Sequence, residues 1–221
     1  MIRLEVKSMI CYGYIMKYNC PLCKSILTYS SYEFARCLVC DAYVRNPMTY
    51  LNRSEEHERY KLHKNTLDNQ PYLNFLTPLS QLVKEHVLEG SLGLDFGCGP
   101  VFAMEKLLKD TVSLNHYDAF FYPNEEALNE QYDFIILSEV IEHFHHPHKE
   151  FQRLRSLLKP QGLLFIQTHR HDDIPSINNW YYAKDPTHVF LCSLKTCQSI
   201  ADMFNFKMIV VTNRCVILQA N

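Results

Sequence analysis

The stretch Leu92-Gly93-Leu94-Asp95-Phe96-Gly97-Cys98-Gly99-Pro100 combines an acidic side chain with two closely spaced glycines. Leu92–Phe96 reads as a short apolar strand, Gly97 and Gly99 as a tight loop, and Val101–Lys109 as a helix. Glycines let a backbone turn sharply and approach a ligand closely, and a following helix offers free amides to it. The dinucleotide fingerprint would need a third glycine at position 102, where the chain has Phe102. Asp118 ends the next predicted strand. A carboxylate there can accept both hydroxyls of a ribose, and Asp is also an ordinary turn residue.

A second chemical signal is made of cysteine. Cys20-Pro21-Leu22-Cys23 and Cys37-Leu38-Val39-Cys40 are two knuckles separated by thirteen residues. Such a pair can set four thiolates tetrahedrally around one zinc ion, which would be structural because no coordination position stays open. Two redox pairs, or unligated thiols, are the alternative. A segment this short builds little core, so the metal would supply its folding energy. Lys24–Arg36, with Ile26, Leu27, Tyr29, Tyr32 and Phe34, predicts a β-hairpin joining the knuckles, so the whole reads as a zinc ribbon. Cys11, Cys98, Cys192, Cys197 and Cys215 lack ligand spacing and read as small buried residues. Cys98, inside the glycine loop, can also line a ligand.

The elements that must hold these groups alternate. Ser54 can cap a helix through Lys61, Asp68-Asn69-Gln70-Pro71 reads as a turn, and Pro78–Glu89 has a helical apolar spacing. Strands follow at Val112–Tyr117 and at Asp133–Ser138, the latter apolar throughout, as in a parallel strand buried on both faces. His148–Leu158 is an amphipathic helix stopped by Lys159-Pro160-Gln161-Gly162, and Leu163–Thr168 is the next strand. Ser193 caps a helix to Phe204, and Phe206–Thr212 and Cys215–Gln219 form a terminal hairpin. The pattern predicts an α/β fold, mostly parallel, with an antiparallel hairpin added. Three parts are expected: a zinc ribbon (1–46), a linker with a helical segment (47–74) and the α/β domain (75–221).

The glycine run, Ser138-Glu139-Val140-Ile141-Glu142-His143 and Leu157-Leu158-Lys159-Pro160-Gln161-Gly162 together resemble the class I S-adenosylmethionine (SAM) methyltransferases. The resemblance implies a Rossmann-like sheet with SAM at the carboxyl ends of its strands. It places Asp95, Gly97, Cys98, Gly99, Asp118, Ser138 and Glu139 around the cofactor, with His143 close to the chemistry. One departure is evident: too few residues separate Asp118 from Asp133 for the usual further helix and strand, so that sheet edge is expected to be trimmed.

Past the fifth strand, a long loop holds His169, the single tryptophan Trp180, Tyr181, Tyr182 and Asp185-Pro186-Thr187-His188. Loops of this length are usually functional. Trp180, Tyr181, Tyr182 and His169 are expected at the acceptor. His188 is the candidate general base, or else a brace for the loop. The run His143, His145, His146 and His148 reads either as a metal site or as a solvated turn.

Net charge −2 and a pI near 6.6 give no basic excess that would advertise nucleic acid. No stretch reaches the length of a membrane span, and Met1–Lys17 lacks a signal-peptide layout, so a cytoplasmic, non-membrane protein is expected. The expected activity is methyl transfer to an O, N or C atom of a small molecule. RNA as acceptor, with the ribbon as docking module, and a non-catalytic adaptor are the rivals. Oligomeric state is not legible.

Overall fold

The computed structural model describes residues 17–29, 33–63 and 65–221. The expectations for residues 1–16, including Cys11, lie outside the described residues. In chain order the elements are β1 (Lys17–Asn19), β2 (Ile26–Thr28), β3 (Phe34–Arg36), β4 (Tyr43–Arg45), α1 (Arg53–Lys61), α2 (Gln70–His86), β5 (Leu92–Phe96), α3 (Ala103–Leu108) and β6 (Ser113–Tyr117). Then come β7 (Tyr132–Ser138), α4 (Pro147–Leu157), β8 (Leu158–Gln167), β9 (Phe190–Leu191), α5 (Leu194–Met203), β10 (Phe206–Val211) and β11 (Cys215–Ala220).

The main sheet runs β10-β11-β8-β7-β5-β6. Its β6, β5, β7 and β8 are parallel, and β11 and β10 are antiparallel additions. This is the expected layout, trimmed edge included: β6 is the last strand, and only a 3₁₀ turn (Glu125–Asn129) separates it from β7. The central strand shows why the sheet is covered on both sides. Phe134 and Ile136 pack with α2 and α3, whereas Ile135 and Leu137 face α4 and α5. All four are fully buried. Side chains alternate along a strand, so a continuous apolar run supplies two cores.

Several expected boundaries move, each for a local reason. The cap of α1 is Asn52 rather than Ser54: its side chain accepts from Ser54 and Glu55 amides while Glu55 reaches back to the Asn52 amide. Helix α2 starts well before Pro78, because Asn69 caps it and Pro71 sits in the first turn, where no amide is needed. The segment Lys159–Gly162 does not end the strand register but bulges out of it. Tyr132 pairs with Leu158 and Phe134 already pairs with Leu163, with Gln161 in the left-handed region at φ 63°.

Among the described residues, β2 and β3 do not pair into the hairpin expected over Lys24–Arg36, part of which, including Tyr32, lies outside those residues. Strand β1 pairs with β2 around Cys20–Cys23, and β3 pairs with β4 around Cys37–Cys40, so each knuckle sits at the tip of its own hairpin. In each, the residue after the second cysteine, Lys24 (φ 64°) or Asp41 (φ 67°), turns left-handed and bonds back to the first cysteine carbonyl. Strand β4 then pairs antiparallel with β9, joining the cysteine module to the loop that precedes α5. Apolar packing from Leu22, Leu27 and Val44 runs on into the main core. No helix among the described residues is long and apolar enough to cross a membrane.

Candidate active site

The carboxyl ends of β5, β6 and β7 open into one cavity of about 840 Å³. Its floor is the glycine loop after β5. Gly97 and Gly99 have φ values of 84° and 66°, a region that L side chains rarely adopt. A Cβ on Gly97 would lie 2.5 Å from Val140 Cγ2, so the loop packs tightly against the β7 end. A Cβ on Gly99 would meet open space, since that glycine faces the cavity. Gly97→Ala combines backbone strain of about 1–2 kcal/mol with overpacking of about 1–3 kcal/mol. A fall in melting temperature of several degrees is expected, and thermal unfolding of the variant measures it.

Asp118 organises the same loop. One oxygen accepts the Gly99 amide at 3.0 Å, and the other accepts the Phe120 and Phe121 amides at 2.8 and 2.9 Å. The Gly99-bonded oxygen keeps a lone pair free for a ligand hydroxyl. Asp95 lies behind the loop, 3% exposed, with no hydrogen bond to its carboxylate among the described residues. Burial, helped by the charge of Asp118, pushes its pKa up to about 7. A buried carboxylate with no donor is what a ligand cation would satisfy. Two more unpartnered atoms, Ser138 Oγ and Glu139 Oε1, belong to residues of the cavity wall. Glu139 holds a φ of 53°, a strained value for a bulky residue and characteristic of functional sites.

The raised pKa of Asp95 makes stability depend on pH. Its neutral form is favoured in the folded state, so its contribution is complete below about 3.9 and is lost as pH rises through about 7. Between about pH 5 and about pH 8 the ligand-free protein should therefore lose melting temperature from this group, and Asp95→Asn should flatten that part of the profile. Unfolding scans of both proteins across this range check it; identical slopes would contradict it.

The far wall is a histidine–carboxylate cluster. His143 Nδ1 and His188 Nδ1 bond the Thr187 and Tyr182 carbonyls at 3.0 and 2.7 Å. A carbonyl only accepts, so both Nδ1 atoms carry the proton and each Nε2 keeps its lone pair. The rings meet edge to face, 4.8 Å between centroids. Burial lowers the His188 pKa to about 4 despite nearby Asp185, and burial plus His188 lowers that of His143 to about 3. Both are neutral imidazoles at physiological pH. Behind them, Glu142 is 1% exposed and accepts hydroxyls from Tyr182 and Thr168. Burial raises its pKa to about 7 against those bonds, and burial plus Glu142 raises that of Glu139 to about 9.

Asp185 shapes the turn that presents His188. It accepts the Thr187 amide and hydroxyl at 3.0 and 2.7 Å and pairs with Arg59 at 2.6 Å. Burial opposes its ionisation, yet these bonds hold it well below the usual carboxylate range. Arg59 comes from α1, whose Arg53 and Tyr60 also line the cavity, so α1 forms a roof. Arg45, at the end of β4, is buried and donates to the carbonyls of Ala183, Asp185 and His188 at 2.6, 2.9 and 3.0 Å.

The expected site residues separate as follows. Gly97, Cys98, Gly99, Asp118, Ser138, Glu139, His143, Tyr181, Tyr182 and His188 all line the cavity, and Asp95 sits just behind it. Trp180 is 7% exposed and packs with Phe34, Ala183, Leu191 and the wall residue Tyr182, behind the cavity lining rather than in it. His169 touches the rings of Tyr181 and Tyr182 from outside. Of the histidine run, His145, which stacks on Tyr50, and His146 line the cavity together with His143, whereas His148 turns away and bonds the Leu22 carbonyl. Glu142, Asp185 and helix α1 appear in the sequence only as members of their segments, with no role at the site assigned to them. In the cysteine module, Cys20–Cys40 and Cys23–Cys37 sulfurs lie 3.6 and 3.5 Å apart, near the roughly 3.8 Å edge of a tetrahedral zinc–thiolate site. All four offer sulfurs within 4.8 Å of one another.

The family model described as a methyltransferase domain matches residues 72–211, more than half of the chain. The chain belongs to the methyltransferase-domain family. The methyltransferase is similar in fold to a Burkholderia thailandensis 1,6-didemethyltoxoflavin-N1-methyltransferase solved with bound 1,6-didemethyltoxoflavin and S-adenosylhomocysteine. Identity is 12%, the TM-score is 0.56, and the match covers 88% of this chain and 99% of that one. It is also similar to an O-methyltransferase family protein of the same organism, at 10% identity and a TM-score of 0.50, covering 85% and 79%. No curated protein matches the methyltransferase in sequence.

Proposed function

We propose that this enzyme transfers the methyl group of SAM to a nucleophilic atom of a small molecule held under the α1 roof. The observation that carries the reading is the shared cavity: the cofactor-type floor (Gly97–Gly99, Asp118) and two neutral histidines line one cleft. Its volume falls in the range of small-ligand sites. Asp118 and the glycine loop would hold the ribose and methionine portions, and Asp95 would answer the amino group. The unpartnered oxygens of Ser138 and Glu139 fit a polar ligand at the same place. SAM, when bound, supplies the activated methyl group.

The chain's own residues supply alignment and proton handling. Tyr181 and Tyr182 flank the acceptor side, and holding two reactants in line can be worth several kcal/mol or more. The Nε2 of His188 or His143 takes the acceptor proton. Glu139, neutral below about 9, can donate a hydrogen bond. The Burkholderia enzyme, with bound 1,6-didemethyltoxoflavin and S-adenosylhomocysteine, supports the same reading. The sulfur spacing supports a structural zinc at Cys20, Cys23, Cys37 and Cys40.

The test is incubation with methyl-labelled SAM and a fractionated cell extract. Label should enter the low-mass fraction. Label in RNA would replace the acceptor class, and no transfer to any fraction would leave the adaptor reading.

A further inference from the structure

We propose that Glu142, His143 and His188 form a second metal site, for a divalent first-row ion that fixes the acceptor through a pair of its oxygens. The inference deepens the methyl-transfer reading above and rests on it for the acceptor, but not for the ion.

One ligand atom from each of these residues lies within 4.8 Å of the others. Each histidine donates its Nδ1 proton to a backbone carbonyl, which fixes the tautomer and leaves Nε2 for an ion. Metal-binding histidines are oriented in this way. Glu142 is held by the hydroxyls of Tyr182 and Thr168, and such outer partners fix a ligating carboxylate too. The two segments of the site are tied together, since the Val189 amide bonds the Glu142 carbonyl at 2.8 Å.

The donor set selects the ion. Two imidazoles and one carboxylate suit zinc, iron, cobalt or manganese rather than calcium or magnesium. Three protein ligands leave coordination positions open. His143 and His188 both line the cavity, so the open positions face the acceptor. An acceptor with adjacent oxygens, a vicinal diol or a hydroxyketone, would bind as a chelate and be fixed in register. With an ion present, the two Nε2 lone pairs act as ligands rather than proton acceptors.

The cysteine cluster would also take metal, so the test must tell sulfur from nitrogen and oxygen. Protein whose cysteine cluster has been filled with zinc is titrated with cobalt(II). Cobalt on nitrogen and oxygen ligands gives weak visible bands, whereas thiolates add strong near-ultraviolet charge transfer. Visible bands without a new thiolate band are expected at about one further equivalent. His143→Gln and His188→Gln should weaken uptake by at least about 10-fold, the lower end of what loss of a mere outer partner costs. No visible bands from the wild-type protein would overturn the site, whatever the variants do, and so would full uptake by both folded variants. Calorimetry of the same sample with S-adenosylhomocysteine separates the two readings. Cofactor binding without cobalt uptake removes the metal site alone, and cobalt uptake without cofactor binding removes the acceptor role and the methyl-transfer reading.

Discussion

Replacing His188 with glutamine is expected to lower kcat by about 100- to 10,000-fold, the usual contribution of a positioned acid–base group. Affinity for S-adenosylhomocysteine should stay within a few-fold, because the side chain of His188 contacts Tyr182 and His143 rather than the glycine loop. A parallel His188→Asn variant places its amide nitrogen where Nδ1 sits and keeps a hydrogen for the Tyr182 carbonyl, so a loss shared by both variants reports the missing lone pair rather than a collapsed loop. The pH profile adds a second readout. In the enzyme free of any ion at His143 and His188 the neutral imidazole is the competent form, and burial depresses its pKa to about 4. Activity should therefore persist through mildly acidic solution and fall as pH drops through about 4, not through the ordinary value near 6.5. Steady-state kinetics across this range, beside calorimetry of the variant, measures both. An acid limb at the ordinary histidine value would point to another group.

The second large effect comes from a residue far from the chemistry in sequence. Arg45 belongs to the cysteine module, yet its guanidinium and amide bond the carbonyls of Ala183, Asp185, His188 and Val189. Arg45→Ala keeps the amide bond to Val189 but leaves the carbonyls of Ala183, Asp185 and His188 short of donors, at about 1–3 kcal/mol for each group left unsatisfied. The loop carrying His188 should shift, and a displacement of ~1 Å at a reacting group can cost about 100-fold in rate. Lysine should not rescue it, because one ammonium cannot span several carbonyls as the planar fork does. Metal removal from the four cysteines should act the same way, since β4 pairs with β9 beside that loop. The module is thus a brace for the active site. Turnover of Arg45→Ala and of chelator-treated enzyme checks this, with folding of the main sheet followed separately. Undiminished turnover in both would make the module dispensable to catalysis.

Much of this arrangement was legible in the sequence because single segments carried it. The apolar run through Ile135 and Ile136, the Gly97–Gly99 loop and the two cysteine knuckles each state their structure locally. The rest depends on contacts between distant segments. Three-residue strands such as β2 and β3 have too little alternation to reveal their partners, so the sequence suggests one hairpin between the knuckles where two form around them. Helix α1 is charged all round and has no apolar stripe, so nothing in its pattern shows that it roofs a cavity. Its packing is fixed by Arg59 on Asp185, across the whole α/β unit. Trp180 shows the converse: its type suggested a ligand contact, whereas its surroundings make it core. Glu142 was visible within its motif, but its place beside His188 depends on the Val189–Glu142 bond.

The methyl-transfer reading requires that the glycine-loop cavity bind SAM. Calorimetric titration of the zinc-loaded protein with SAM, beside Asp118→Asn, tests it most directly. Saturable binding by the wild-type protein and marked weakening in the variant are expected, because Asp118 both faces the ribose and holds the Gly99 amide. No binding by folded wild-type protein, or equal binding by the variant, would contradict it.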